Sequence, residues 1–232
     1  MSPGSAEALL GILLLGLFLA AYAIPEILMH ALGLFTVTSS RRRGAVAITF
    51  DDGPHPVYTP MILDALRDRN FKATFFVLGK KAAAYPEVME RIVREGHEVA
   101  VHGWDHRHPW LMGPVTSATC LRKALHATKA YRKAQDRPKY RPCWGFWTLW
   151  LALCTRSMGR IMWSLPGNDW KRGATPESVK KHVSERARDG DIVLLHDGGK
   201  YSWITAQALP GILDTLSHRG LLQVTVDELR RA

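Results

Sequence analysis

The stretch Val46-Ala47-Ile48-Thr49-Phe50-Asp51-Asp52-Gly53-Pro54 decides how the rest of the chain is read. Ala45 to Ile48 is short and apolar with β-branched residues, the pattern of a buried strand. Gly53 and Pro54 cannot continue a ladder and force a turn. Two adjacent acids therefore stand at the C-terminal end of a strand. Two carboxylates side by side repel, and they are costly to desolvate unless a cation or a proton separates their roles. Taken alone, the pair also suits a loop that caps the next helix through an Asx turn. The residues downstream change the balance.

Moving outward, strands and helices alternate. Thr59 to Asn70 has helical apolar spacing, Lys72 to Leu78 reads as a strand, Pro86 to Glu95 as a helix closed by Gly96, and His97 to Val101 as a strand. Helix Thr116–Tyr131, a short strand near Tyr140-Arg141, an aromatic-rich helix from Phe146 to Ser157 and a strand at Arg160–Trp163 follow. Helix Pro176–Arg188, strand Asp191–Leu195, helix Thr205–His218 and a last strand at Leu221–Val224 complete the series. Such alternation means a parallel sheet with crossover helices. About seven such units favour a closed or nearly closed barrel over an open sheet, so the expected fold is α/β, a distorted (β/α)7-8 barrel. In either architecture, ligands bind at the C-terminal ends of the strands.

The residues that follow the strands share that rim. They are Asp51-Asp52, then His102-Gly103-Trp104-Asp105-His106, then Arg141-Pro142-Cys143-Trp144-Gly145, then Asn168-Asp169-Trp170, and last His196-Asp197. His102 and His106 are four apart, so one turn of helix would turn both imidazoles to one side. Two imidazoles and a carboxylate form a common catalytic metal set with open positions for water. In isolation the pair also suits a capping histidine beside a surface histidine. A zincin motif would need Glu after the first His, where Gly103 stands.

In front of the barrel, Ala8 to Ile24 is an uncharged Leu-rich run, followed past Glu26 by a milder apolar run, Ile27 to Val37. A helix of about 20 apolar residues spans a bilayer. Ala21-Tyr22-Ala23 resembles a signal-peptide cleavage site. Residues 1–8 carry no Lys or Arg, however, and the apolar character continues past the cut, which favours an uncleaved hydrophobic, transmembrane helix. The expected division is an N-terminal membrane anchor or signal segment over 1–40 and a catalytic domain over 41–232. Arg41-Arg42-Arg43 would keep that domain on the cytoplasmic side by the positive-inside bias, which large domains override. The expected location is extracytoplasmic, close to the membrane surface.

Composition sets outer limits. The 232 residues are 47% apolar, which excludes disorder, and the net charge is +10. That charge suggests an anionic neighbour such as a membrane or a lipid phosphate. The basic residues are dispersed and no nucleic-acid motif accompanies them, so no nucleic acid is expected as a partner. Cys120, Cys143 and Cys154 have no zinc-type spacing, and their odd number argues against a disulfide framework.

The five clusters together resemble the polysaccharide deacetylase family, the carbohydrate esterases sharing the NodB homology domain, over roughly Val46 to Leu229. The first family motif is present in full as Thr49-Phe50-Asp51-Asp52-Gly53-Pro54. The second, His-Ser/Thr-x-x-His, is matched by His102 and His106, with Gly103 at the hydroxyl position. The third, Arg-Pro-Pro-Tyr-Gly, is Arg141-Pro142-Cys143-Trp144-Gly145. The fourth keeps Asp169-Trp170 and lacks its earlier Asp, with Pro166 near that place. The fifth is Leu194-Leu195-His196-Asp197.

The resemblance implies that Asp52, His102 and His106 hold a divalent metal, Zn2+ first and Co2+ or Ni2+ as alternatives. It implies Asp51 as general base for the attacking water and His196 as general acid towards the leaving amine. Arg141 would orient Asp51, Asp169 would hold His196, and a backbone N–H near Trp144 would meet the oxyanion. The activity implied is removal of the N-acyl group of an amino sugar in a glycan, whether peptidoglycan, a chitin-like polymer or a lipid-linked sugar. Trp144, Trp170 and Trp104 offer flat faces for sugar rings. The competing expectations are a deformylase or deacylase of a lipid-linked sugar and a non-catalytic glycan-binding protein on the same scaffold.

Overall fold

The computed structural model describes residues 3–231. The chain begins with a helix, α1, over Gly4–Ala31. It then alternates through β1 Ala45–Asp51, α2 Tyr58–Arg67, β2 Thr74–Val77, α3 Gly79–Ala84, α4 Pro86–Arg94, β3 Glu98–Val101 and α5 Pro114–Ala127. It continues with β4 Lys139–Tyr140, α6 Leu149–Cys154, β5 Gly159–Arg160, β6 Leu165–Pro166 and α7 Pro176–Arg186. The last elements are β7 Ile192–His196, α8 Ser202–His218, β8 Leu222–Val224 and α9 Val226–Arg230.

The strands are hydrogen-bonded in the order β5-β4-β3-β2-β1-β7-β6, and every pairing is parallel. β8 pairs with the first half of β1, Ala45 to Ala47, while β2 takes the second half from Thr49. That exchange of partners along one strand distorts the barrel. Its wall is incomplete between β5 and β6, where Val37 adds a parallel bridge to Ile161. The expected distorted barrel preceded by an apolar helix is what forms.

Every residue of β1 is buried, and strand alternation gives its two faces different neighbours. Val46, Ile48 and Phe50 join the core beneath the helices, with Ile62, Leu66, Ile92, Leu209 and Leu213. Ala45 and Ala47 face the barrel interior with Phe76, Ala100, Ile161 and Ile192. Continuing that face by two residues at a time reaches Thr49 and then Asp51. The period of the strand thus delivers Asp51 to the top of the barrel interior.

Several boundaries differ from the sequence expectation. The strand expected at Arg160–Trp163 is only Gly159–Arg160, and a separate strand forms at Leu165–Pro166. Pro166 lacks an N–H to donate, which suits it to this edge position. Helices α3 and α9 were not anticipated; both are too short for the 3.6-residue period to show. His102 and His106 do not sit on a helix turn. They flank a loop in which Gly103 takes φ +107°, a conformation L side chains rarely adopt.

α1 continues through the first apolar run and into the second as far as Ala31, with widened π-type turns at Leu19–Ala23 and Ile27–Ala31 on either side of Pro25. A wide turn accommodates the missing proline N–H. Residues 4–20 are exposed, whereas Ala21, Pro25 and Met29 are buried on one face against the domain. The Glu26 carboxylate accepts from the Trp147 backbone N–H at 2.7 Å, and Met29 joins Leu121, Trp147, Leu151 and Met162 in a core cluster.

Candidate active site

The C-terminal rim collects the groups marked in the sequence. Just past β1, Asp52 holds φ +72°, an unusual value for a non-glycine residue, and the Gly53-Pro54 peptide is cis. Two glycines let the β1 and β7 loops touch. A Cβ on Gly198 would lie 1.8 Å from the Asp52 carbonyl oxygen, and one on Gly53 would lie 2.2 Å from the Asp197 carboxylate. The Lys81 ammonium ties the same loops by donating to the carbonyls of Asp52, at 2.8 Å, and Gly198.

Asp52, His102 and His106 converge. Asp52 Oδ1 lies 3.3 Å from His102 Nε2 and 3.1 Å from His106 Nε2. Two ligands about 2.0–2.1 Å from a tetrahedral zinc stand about 3.3 Å apart, so the spacing is that of a ligand set. The tautomers agree. His102 Nδ1 is 3.0 Å from the Arg141 carbonyl, which only accepts, so Nδ1 carries a proton and Nε2 is the atom turned towards Asp52; burial opposes charge on this ring, but without a cation the neighbouring Cys143, Asp51 and Asp52 raise it well above its ordinary value. Asp52 Oδ1 is buried without a hydrogen-bond partner among the described residues. An acceptor facing a lone pair is stable only with a cation or a proton between them. Burial opposes ionisation of Asp52, but the hydrogen bond and charge of His102, with His196 and His106, hold its carboxyl well below the usual carboxylate range. Burial pulls His106 down, which favours the neutral imidazole a cation requires. These residues fit a divalent cation.

The Gly103 departure has a counterpart. Cys143 Sγ donates to the His102 carbonyl at 2.7 Å and would be 3.4 Å from a Cβ on Gly103. The thiol packs beside the glycine and braces the loop. Burial pushes the Cys143 thiol up, consistent with a hydrogen-bond donor. Its sulfur also falls within 4.8 Å of the His102 and His106 ligand atoms.

Asp51 is held from the opposite side. Arg141 is fully buried and donates Nη1 to Asp51 Oδ1 at 2.7 Å and to Thr49 Oγ1 at 2.9 Å. Its remaining donors go to the carbonyls of Ile161 and Met162, and its guanidinium lies 3.9 Å from the Phe76 ring centroid. Desolvation lowers the Arg141 pKa and Asp51 raises it, leaving a cation whose one carboxylate partner among the described residues is Asp51. Asp51 Oδ2, the other oxygen, points towards His102 Nε2 at 3.7 Å.

Parallel register puts His196 directly beside Asp51, and the Asp197 N–H donates to the Asp51 carbonyl at 3.1 Å. His196 Nδ1 is 3.1 Å from Asp169 Oδ1, and Asp169 Oδ2 accepts from the His196 backbone N–H at 2.8 Å and from Thr205 Oγ1 at 2.7 Å. Burial opposes the His196 imidazolium, but the charge and hydrogen bond of Asp169 outweigh it and lift His196 to about 9. Its Nε2–H is then a charged donor at neutral pH. Asp197, buried with Thr59 Oγ1 at 2.6 Å, is pushed up to about 7 by burial, with Asp52 and Asp51 adding to the effect.

The aromatic residues divide. Trp144 is 58% exposed, at φ +60°, with its ring 4.9 Å from His106. Trp170 is exposed against His196 at 5.0 Å. The two frame the site on either side. Trp104 is half-buried over Gly79 and Ala124 with Lys123 5.8 Å from its ring, contacts of a packing residue. Thr49, Thr59, Lys81 and Thr205 support the site and went unmarked in the sequence. Only Thr49 lay within a motif; the others act through contacts between distant segments. At the other end of the barrel, a cavity of about 360 Å³ contains Lys139, paired to Glu98 at 2.5 Å and to Asp227 at 3.1 Å.

Known proteins resemble this chain in sequence and in fold. Residues 38–159 match the family model for polysaccharide deacetylase. The peptidoglycan-N-acetylglucosamine deacetylase of Bacillus cereus is 37% identical over 192 residues, covering 80% of this chain and 88% of that protein. The chitooligosaccharide deacetylase of Sinorhizobium fredii is 32% identical over 193 residues, covering 77% of this chain and 88% of the relative. The solved structure of the peptidoglycan deacetylase PdaC from Bacillus subtilis superposes with a TM-score of 0.72 at 31% identity, covering 82% of this chain and 90% of the other. From its matched motif region, its barrel and these relatives, the chain belongs to the polysaccharide deacetylase family of enzymes.

Proposed function

We propose that the chain hydrolyses the N-acetyl group of an amino sugar in a glycan, using a divalent cation at Asp52, His102 and His106. The observation that carries the reading is the buried, unpartnered Asp52 oxygen facing two imidazole nitrogens beside an Arg141-held Asp51. A cation there, Zn2+ first with Co2+ or Ni2+ as alternatives, supplies Lewis acidity to the acyl carbonyl and lowers the pKa of water towards ~7. Asp51 takes the proton from the attacking water, and Arg141 holds Asp51 in place through Nη1. His196 gives its Nε2 proton to the leaving amine nitrogen, and Asp169 holds it charged for that step. The Trp144 backbone N–H faces the developing oxyanion. Trp144 and Trp170 present ring faces to the sugar and exclude water. The relatives named for peptidoglycan and chitooligosaccharides support a glycan substrate. Residues 41–232 form the catalytic domain, and residues 1–40 serve as its uncleaved membrane anchor. The docking of Glu26 and Met29 beyond the Ala21-Tyr22-Ala23 site supports the anchor.

The test pairs metal analysis of the purified protein with amine release from N-acetylglucosamine oligomers. A single divalent ion per chain, with release abolished by a chelator and restored by Zn2+, is the expected result. A metal-replete preparation that holds no ion would overturn the reading.

The pH dependence follows from His196. Its folded-state pKa is raised to about 9 from 6.5, so the charged acid is present below that value and lost above it. The rate should fall on the alkaline side as His196 deprotonates. Asp169→Asn should move that limb to lower pH, because burial then acts without the opposing carboxylate. The same shift links to stability: the Asp169–His196 contribution is complete below pH 6.5 and is lost as pH rises through about 9. An unchanged alkaline limb in Asp169→Asn would remove His196 from the acid role.

A further inference from the structure

The helix that precedes the barrel is too short on its exposed part to cross a bilayer alone. Residues 4–20 are exposed, and apart from Ser5 and Glu7 in the first turn they are apolar around the whole circumference, with Ile12 68% exposed. At 1.5 Å per residue they span about 25 Å, against about 30 Å of hydrocarbon. A helix normal to the membrane therefore leaves the hydrocarbon about three residues later, near Ala23, where it is already packed on the domain. Whatever the domain presents beside residues 18–24 must then lie in the interfacial layer.

The residues found there suit that layer. Tyr22 packs its ring against Trp110 at 5.8 Å and Trp150 at 5.9 Å, and Phe18 meets Trp110 at 6.0 Å. Around these rings the domain exposes Leu111 at 86%, Val115 at 78%, Leu149 and Leu153. Tryptophan and tyrosine gather at the water–membrane boundary because one end of each ring system is apolar and the other polar. Leu111 and Val115 belong to the segment carrying Trp110, and Leu149 and Leu153 to the helix carrying Trp150. An exposed apolar patch of this kind, continuous with an unpartnered apolar helix, marks a contact with lipid.

We propose that this shoulder, Trp110, Leu111, Val115, Trp150 and Leu153, is a membrane-interface surface that seats the domain rigidly on the bilayer. The anchor is then an extension of the domain fold, held by the Glu26–Trp147 hydrogen bond and the buried Met29. One consequence concerns the catalytic rim. Trp110 touches His108 at 6.3 Å, His108 touches Trp144 at 5.9 Å, and Trp144 touches His106 at 4.9 Å. The mouth of the site therefore opens a few ring contacts from lipid, within reach of sugars carried at the membrane surface. The surface itself does not depend on the reaction proposed above.

The full chain lends itself to a direct test, because all eight tryptophans lie beyond residue 100 and none is in α1. Tryptophan fluorescence of the protein reconstituted in vesicles therefore reports only on the domain's approach to lipid. Phosphatidylcholine brominated near the top of its acyl chains should quench about a quarter of the emission, the share of Trp110 and Trp150. The variant Leu111→Asp/Val115→Asp should lose most of that quenching at an unchanged thermal unfolding midpoint, and Trp110→Phe should lose about half of it. Emission insensitive to brominated lipid would mean a domain on a loose tether, a cleaved helix or a patch covered by a second copy, and any of these overturns the proposal. Quenching that survives both variants would place the lipid contact elsewhere and overturn it equally.

Discussion

Replacing His102 with alanine should leave a folded protein that no longer keeps its metal. Affinity should fall by more than about 100-fold, since even the loss of a residue that merely supports a ligand costs 10- to 100-fold. The effect is large because the other two ligands cannot compensate. Asp52 is adjusted to the His102 ring, whose Nε2 stands 3.3 Å away, and His106 is the most exposed of the three. Metal content after dialysis against a weak chelator, measured beside His108→Ala, checks the assignment. His108 stacks on Trp144 in the same wall and is not among the three ligands, so its variant should keep the ion. Full occupancy in His102→Ala would show the ligand set to be wrong.

Asp51→Asn should do the reverse, keeping the metal and losing turnover by about 10²- to 10⁴-fold, the range of a lost general base. Asparagine retains an oxygen for the Arg141 Nη1 donor, so the shape of the buried cluster survives while the proton acceptor is lost. The charge balance does change, because Arg141 is fully buried and Asp51 is its only carboxylate partner among the described residues. Removing one member of a buried pair costs about 3–5 kcal/mol when nothing replaces it. The variant should therefore unfold at a lower temperature, less so than Asp51→Ala. The loss should fall on kcat with KM little changed, since Asp51 acts in the chemical step. A near-normal kcat with metal bound would exclude the base role.

The two variants also separate what was legible in the sequence from what was not. Chemistry-bearing residues were identifiable because each follows a strand, and strand ends were marked by Gly, Pro and the loss of apolar runs. The carboxylate pair, the two histidines, Arg141, Asp169 and His196 all come to the expected rim. The assumption that failed was local: spacing of four suggested one helix turn for His102 and His106, and a loop with Gly103 at positive φ joins them instead. Spacing fixes which residues share a face only once the conformation is known. The loop in which Gly103 replaces the hydroxyl residue is braced by Cys143, a residue 40 positions away. The Trp104 ring, which the sequence grouped with Trp144 and Trp170, turns to Gly79 and Ala124 because α5 packs behind it.

By itself, the sequence determined the alternation of strands and helices and the place of the candidate acid, base and ligand residues at strand ends. Those properties are carried by periods of two and 3.6 residues and by turn residues, all readable within a short window. Only the tertiary structure decided the rest. Parallel register set His196 beside Asp51, Arg141 reached across the barrel to Thr49 and Asp51, and Thr205 and Thr59 came to donate to Asp169 and Asp197. The same holds for α1, whose apolar run signals a helix but not that its second half docks through Glu26 and Met29. These contacts join segments far apart in the chain, and they depend on strand register and side-chain packing, which no local pattern encodes.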